Sequence, residues 1–136
     1  MSGIKVLLVD DEEQYIMALN KRLTKRGMVV QEAHSGEEAL DMLQDFEADV
    51  VVLDVKMPGM DGLTALHKIK TRWPIMEVIM LTGHASVEVA IRGMELGAFD
   101  YLMKPVEFEE LLYKLEDASK RKAHQDAKIE KKAHDE

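Results

Sequence analysis

The chain has no cysteine, which removes disulfide frameworks, thiolate zinc sites and cysteine nucleophiles together. It has no excess of positive charge: 18 Lys and Arg stand against 26 Asp and Glu, a formal net charge of -8. A nucleic-acid-binding domain normally carries a basic face, so direct contact with DNA or RNA is not expected. Long apolar runs are missing too. The first, Ile4 to Val9, stops at Asp10 and is too short for a signal-peptide core or a membrane span. Repeats and low-complexity blocks are absent from the sequence. What remains is an ordinary globular balance of 46 % hydrophobic and 32 % charged residues in 136, the size of one domain. A soluble cytoplasmic domain with no membrane association is the expectation.

Two kinds of segment alternate. Ile4–Val9, Met28–Ala33, Val50–Leu53, Ile75–Leu81 and Ala98–Leu102 are short and apolar, a pattern that suits strands buried on both faces of a parallel sheet. Between them lie amphipathic patterns. Ile16, Leu19 and Leu23 share a face of Glu13–Arg26, with Gly27 as the stop. Gly36–Gln44, Gly62–Thr71 (capped by Asp61), Ser86–Leu96 (closed by Gly97) and a segment through Phe108, Leu111, Leu112 and Leu115 repeat the design. Five β–α alternations predict an α/β fold: a doubly wound five-stranded parallel sheet, order 2-1-3-4-5, of flavodoxin-like (βα)5 form. From about Asp117 the chain is rich in charge of both signs and lacks an apolar seam. The division expected is a domain over 1–120 and a charged helical extension or linker over 121–136.

In an open parallel sheet, ligands bind at the carboxyl ends of the strands. After the first strand come Asp10, Asp11, Glu12 and Glu13; after the third, Asp54; after the fourth, Thr82 and Gly83; after the fifth, Lys104 and Pro105. In the predicted order the first and third strands are neighbours, so Asp10, Asp11 and Asp54 converge. Three carboxylates in one cleft do not all ionise without a cation, and a hard divalent ion such as Mg²⁺ suits such a donor set. A nearby Lys and Thr would contact an anion. The set reads as a phosphoryl site with a carboxylate nucleophile.

The segments LLVDDEE (7–13), VVLDVKMPGMDGL (51–63), LTGHASVEVA (81–90) and GAFDYLMKP (97–105) resemble the receiver domain of two-component response regulators. They are most similar to receivers of the nitrogen-regulation activator class. The resemblance implies a phosphorylation-dependent switch, not an enzyme with an outside substrate. It implies that Asp54 accepts a phosphoryl group from a sensor histidine kinase or phosphotransfer protein. Asp10, Asp11, Asp54 and the Lys56 backbone carbonyl would hold Mg²⁺, with Mn²⁺ as a substitute. Thr82 and Lys104 would contact the phosphoryl group, Tyr101 would follow Thr82, and Lys104–Pro105 would be a cis peptide. The switched surface would be helix 4, strand 5 and helix 5, which could also form a homodimer.

Other readings compete on the same residues. An aspartyl phosphatase wants a second Asp two residues after the nucleophile, where Lys56 stands. A flavodoxin wants a Ser/Thr/Gly phosphate loop after the first strand, where Asp-Asp-Glu-Glu would repel a phosphate. A receiver-like module that is never phosphorylated would not need the full acidic set. Asp10 and Asp11 could merely favour a helix N-terminus, and Glu12 and Glu13 could be solvated or reach a metal-bound water. The five histidines fall on different segments without ligand spacing. His84, two residues after Thr82, either lines the site's mouth or opens the fourth helix. The chain fits a stand-alone receiver or the N-terminal piece of a longer regulator.

Overall fold

The computed structural model of the chain describes residues 3–83 and 86–135; His84 lies outside them. The element order is β1 (Lys5–Val9), α1 (Glu13–Lys25), β2 (Val29–Ala33), α2 (Gly36–Met42), β3 (Val50–Leu53), α3 (Gly62–Arg72), β4 (Glu77–Thr82), α4 (Val87–Glu95), β5 (Asp100–Met103) and α5 (Phe108–Asp135). The strands form one sheet in the order β2-β1-β3-β4-β5, and every pairing is parallel.

Successive strand residues point to opposite faces, and here both faces are covered. Leu7, Val9, Val51 and Leu53 pack with Ala39, Leu43, Ala65, Leu66 and Ile69 from α2 and α3. Val6, Leu8, Val50 and Val52 pack with Ile16, Leu19 and Leu23 of α1 and Leu111 and Leu115 of α5. That is why the central strands read as unbroken apolar runs. β3 and β4 are buried at every position, whereas β2 alternates between exposed and half-buried positions until Ala33. The expectation of strands buried on both faces therefore fails at β2 and at β5, the two edge strands, each with only one neighbour.

The helix boundaries follow their caps. The side chains of Ser35, Asp61 and Ser86 accept hydrogen bonds from Glu38 N (3.0 Å), Thr64 N (2.9 Å) and Val89 N (3.1 Å), each worth about 1 kcal/mol. Asp61 is thus a cap, as its sequence position suggests. Gly27 takes the left-handed conformation at φ 86° and stops α1, since a side chain there would strain the backbone. Gly62 is forced by proximity. Its N–H donates to the Val55 carbonyl at 2.6 Å, and an added Cβ would fall on the Asp54 carbonyl oxygen and Val55 Cα. α5 continues without a break through the expected boundary at residue 120. Its outer turns are tied down by Arg121 at 2.7 Å from Glu77 and Lys122 at 3.6 Å from Asp49.

Candidate functional site

Strand register assembles the site. Asp10 follows β1 and donates its N–H to the Ala33 carbonyl at 3.1 Å; Asp54 follows β3 and donates to the Val9 carbonyl at 3.0 Å. Thr82 ends β4, and Lys104, just past β5, donates its N–H to the Thr82 carbonyl at 3.0 Å. Each side chain therefore leaves the sheet at the same end, the carboxyl ends of the strands. Asp10, Asp54 and Thr82 are themselves buried. The Lys104–Pro105 peptide is cis.

The centre of the site is an ammonium held by carboxylates. Lys104 Nζ lies 2.6 Å from Asp10 Oδ2, 2.7 Å from Glu12 Oε1 and 4.0 Å from Asp54 Oδ2. Burial disfavours its charge, but the hydrogen bonds it donates to Asp10 and Glu12 and the charges of Asp10 and Asp54 outweigh that and raise its pKa. Burial likewise pushes the Asp10 carboxyl up, and the Asp54 charge adds to this. The bonds from Lys104 and from the Glu12 N–H, which reaches Asp10 Oδ1 at 2.9 Å, pull the other way. Asp10 thus serves the start of α1 and the cluster together. Beneath the ammonium lies the Tyr15 ring, 4.5 Å from Nζ to centroid.

Carboxylate oxygens of Asp10, Glu12 and Asp54 lie within 4.8 Å of one another. Asp54 Oδ1 is buried and has no hydrogen-bond partner among the described residues. A buried acceptor left unpaired is costly, and Asp54 belongs to a set of carboxylates of the kind that a hard divalent cation prefers. The residues present therefore fit such an ion. The cleft opens to solvent through a cavity of about 500 Å³ lined by Asp11, Glu12, Asp54, Lys56, Met57 and Pro58. A larger groove, about 660 Å³, lies at the opposite end of the sheet between Trp73 and the outer turns of α5. It lacks converging buried carboxylates, so chemistry and not size picks out the smaller cavity.

The sequence-derived candidates separate on this geometry. Asp10, Asp54, Thr82 and Lys104 come together. Asp11 is exposed on the cavity wall, and the third close carboxylate is that of Glu12. Lys56 is exposed at the same wall. Tyr101 is half-buried; its ring packs against the α2–α4 core, and its hydroxyl is buried without a hydrogen-bond partner among the described residues. Tyr15 was not singled out by sequence. Its one signal is an aromatic in the first turn of the first helix, next to the apolar face and just after the acidic run. Among the described residues no helix is long and apolar enough to cross a membrane.

Comparison with known proteins agrees with this arrangement. The family described as "Response regulator receiver domain" matches residues 6–116. The transcriptional regulator NtrC of Klebsiella pneumoniae is 41 % identical over 103 residues, covering 76 % of this chain and 22 % of NtrC. Response regulator MprA of Mycobacterium bovis is 36 % identical over 125 residues, covering 92 % of this chain and 54 % of MprA. The chain thus spans about a fifth to a half of the length of these relatives. The crystal structure of a CheY-like receiver domain protein from Methanospirillum hungatei superimposes with a TM-score of 0.86 at 30 % identity, covering 89 % of this chain and 97 % of that one. With the strand order, the acidic cluster and the match over residues 6–116 in agreement, the chain belongs to the response regulator receiver domain family.

Proposed function

We propose that Asp54 is the phosphoryl acceptor of this receiver. The observation that carries the reading is the Asp54 side chain: buried, beside the Lys104 ammonium, with one oxygen lacking a hydrogen-bond partner among the described residues, on a residue that lines an open cavity. In the reaction an Asp54 oxygen forms a bond to phosphorus as the P–N bond of a donor phosphohistidine breaks, and the leaving imidazole keeps the electron pair and takes up a proton. Water later attacks the same phosphorus and releases phosphate. The chain thus catalyses its own phosphorylation and hydrolysis and turns over no other substrate. Catalysis of this kind is positioning and charge neutralisation.

Asp10 and Asp54 would hold Mg²⁺, or Mn²⁺ in its place, with Asp11, Glu12 and the Lys56 carbonyl at the open side. The ion supplies charge neutralisation for the phosphoryl oxygens. Lys104 pairs with the phosphoryl group once it leaves Asp10 and Glu12, and the Thr82 hydroxyl donates to it from the end of β4. Tyr101, on the next strand, follows Thr82. The readout is a population shift in α4, β5 and α5. Val87, Ile91 and Met94 form an exposed apolar stripe on α4, and Met103 and Tyr113 are exposed on β5 and α5, which supports a contact surface for a partner or a second copy. A sensor histidine kinase or phosphotransfer protein is the donor, the setting is cytoplasmic, and the acidic charge argues against direct nucleic-acid contact. The domain proper is residues 1–120, with 121–136 as a helical extension toward any output.

The test is acetyl phosphate with Mg²⁺, read by intact mass and size-exclusion chromatography. The native chain gains one phosphoryl group and Asp54→Asn gains none. Undiminished labelling of Asp54→Asn would overturn the assignment.

A further inference from the structure

The contact between Lys104 and Tyr15 has a consequence for the reaction. In this arrangement the ammonium is bound by Asp10 and Glu12 and is 4.0 Å from Asp54, so it stands among the carboxylates that a divalent ion needs. Its lower side is covered by the Tyr15 ring at 4.5 Å. A cation over an aromatic face is attracted by the ring quadrupole, more strongly where water is excluded. Water is limited here: the Lys104 side chain is only 14 % exposed. Burial also raises the Tyr15 pKa, so the phenol stays neutral and the ring presents its π face. The hydroxyl is not needed for this contact.

We propose that Tyr15 is a positioning residue for Lys104: its ring seats the ammonium on Asp10 and Glu12 and sets how easily a divalent ion displaces it. The inference rests, for its metal arm, on the metal-dependent reading given above. The resting seat and the ion compete for Asp10 and the space beside it. Whatever stabilises the seat must weaken the ion by the same factor, by thermodynamic linkage. Tyr15 is therefore a brake on metal loading, and through it on phosphorylation, without touching the phosphoryl group. Glu12 is the polar half of the same seat, and its reach to Lys104 distinguishes it from a merely solvated first-turn acid.

Two measurements on the full chain test this, with native protein, Tyr15→Phe and Tyr15→Leu. In metal-free protein, the Lys104 Cε protons should show an upfield ring-current shift in the native chain and in Tyr15→Phe, lost in Tyr15→Leu. Titration with Mg²⁺ alone, followed by calorimetry, should give equal affinity for the native chain and Tyr15→Phe. Affinity should be about three- to tenfold tighter for Tyr15→Leu, the range expected from losing one cation–π contact. A merely structural role would not be rescued by Phe in both readouts. Equal Mg²⁺ affinity in all three, or an unshifted Lys104 in the native chain, would overturn the proposal. Absence of Mg²⁺ binding in all three would instead overturn the metal-dependent reading, leaving the ring-current shift to decide the seat.

Discussion

Both ends of this sheet bury a carboxylate beside a lysine, and they treat it differently. At the carboxyl end, Lys104 donates directly to Asp10 and Glu12, and its pKa is raised. At the amino end, Glu77 is fully buried at the start of β4. Its lysine, Lys70, stays 3.9 Å away and donates to the Pro74 and Met76 carbonyls instead. Burial lowers the Lys70 pKa, and the Glu77 charge only partly restores it. Arg121 Nε forms an ion pair with Glu77 Oε2 at 2.7 Å, while Oε1 has no hydrogen-bond partner among the described residues. Each end thus carries a buried carboxylate oxygen without a hydrogen-bond partner among the described residues. What differs is access. Asp54 lines an open cavity, whereas Glu77 is sealed between α3 and α5. An unpaired buried carboxylate signals chemistry where a ligand can reach it, and is a cost to stability where none can.

The sharpest way to break this comparison is through the loop that shapes the open end. In Gly62→Ala the new Cβ meets backbone atoms of Asp54 and Val55, which cannot rotate away. A loss of about 3 kcal/mol is expected in urea unfolding, at the upper end for overpacking. Gly93→Ala is the control. Its Cβ would meet the sulfur and methyl end of Met80, a flexible chain that yields, so about 1 kcal/mol is expected. Equal losses would mean that the loop after Asp54 is not held by close backbone approach.

The two lysines come next. Lys104→Met leaves Asp10, Glu12 and Asp54 facing one another without a cation, and should cost the metal-free protein about 2 kcal/mol, below the full loss for a buried pair because the cleft is open. Saturating Mg²⁺ should return most of that loss. Lys70→Met should cost about 1 kcal/mol, for its two carbonyl hydrogen bonds, and Mg²⁺ should change nothing. Equal costs for the two variants would erase the distinction between the ends.

The comparison also shows what sequence could reveal. Apolar runs ending in Asp10, Asp54, Thr82 and Lys104 place four groups at strand ends, and parallel register does the rest, so the site's backbone was legible. Side-chain choice within it was not. Asp10 and Asp11 are indistinguishable in sequence, yet successive residues leaving a strand diverge, and one is buried while the other faces water. Glu12 joins the cluster because the turn into α1 brings it back over Lys104. Glu77 went unread inside the apolar run Ile75–Leu81. An acid in such a run is the signal, but its partners Lys70 and Arg121 come from other elements. The tail over 117–135 reads as charged and seamless, and it is helical because α5 carries on from a packed segment.

A smaller effect is expected at Lys56, exposed on the wall of the 500 Å³ cavity. Attraction between exposed charges is worth about 1 kcal/mol at most, so steering of an anionic donor by Lys56 can change a rate by no more than about tenfold. Lys56→Glu should slow phosphorylation by acetyl phosphate, and the difference should shrink as salt is raised. Lys56→Ala should fall between. Identical rates in all three at low salt would leave Lys56 as a solvated lysine with no part in the open end.

The smallest effect expected belongs to Glu77, and its sign decides the comparison. Burial raises its pKa above the ordinary 4.5, with Arg121 and Lys70 opposing. Below about pH 4.5 the carboxyl is protonated in both folded and unfolded chains and contributes nothing. As pH rises, the unfolded chain releases this proton first. The folded chain binds more protons than the unfolded one over that window, so stability falls with pH until the folded carboxyl also ionises, and then levels off. At neutral pH the charged group is therefore a net cost, despite the cations around it. Glu77→Gln keeps the shape, removes the charge, and leaves Lys70 on its two carbonyls. It should raise stability at pH 7 by up to about 1 kcal/mol, with the gain fading toward pH 4 in urea unfolding. The opposite sign at pH 7 would mean that the Arg121 pair outweighs burial. In that case the amino end would be a stabilising ion pair anchoring α5, and the contrast between a reachable and a sealed carboxylate would have to be drawn on access alone.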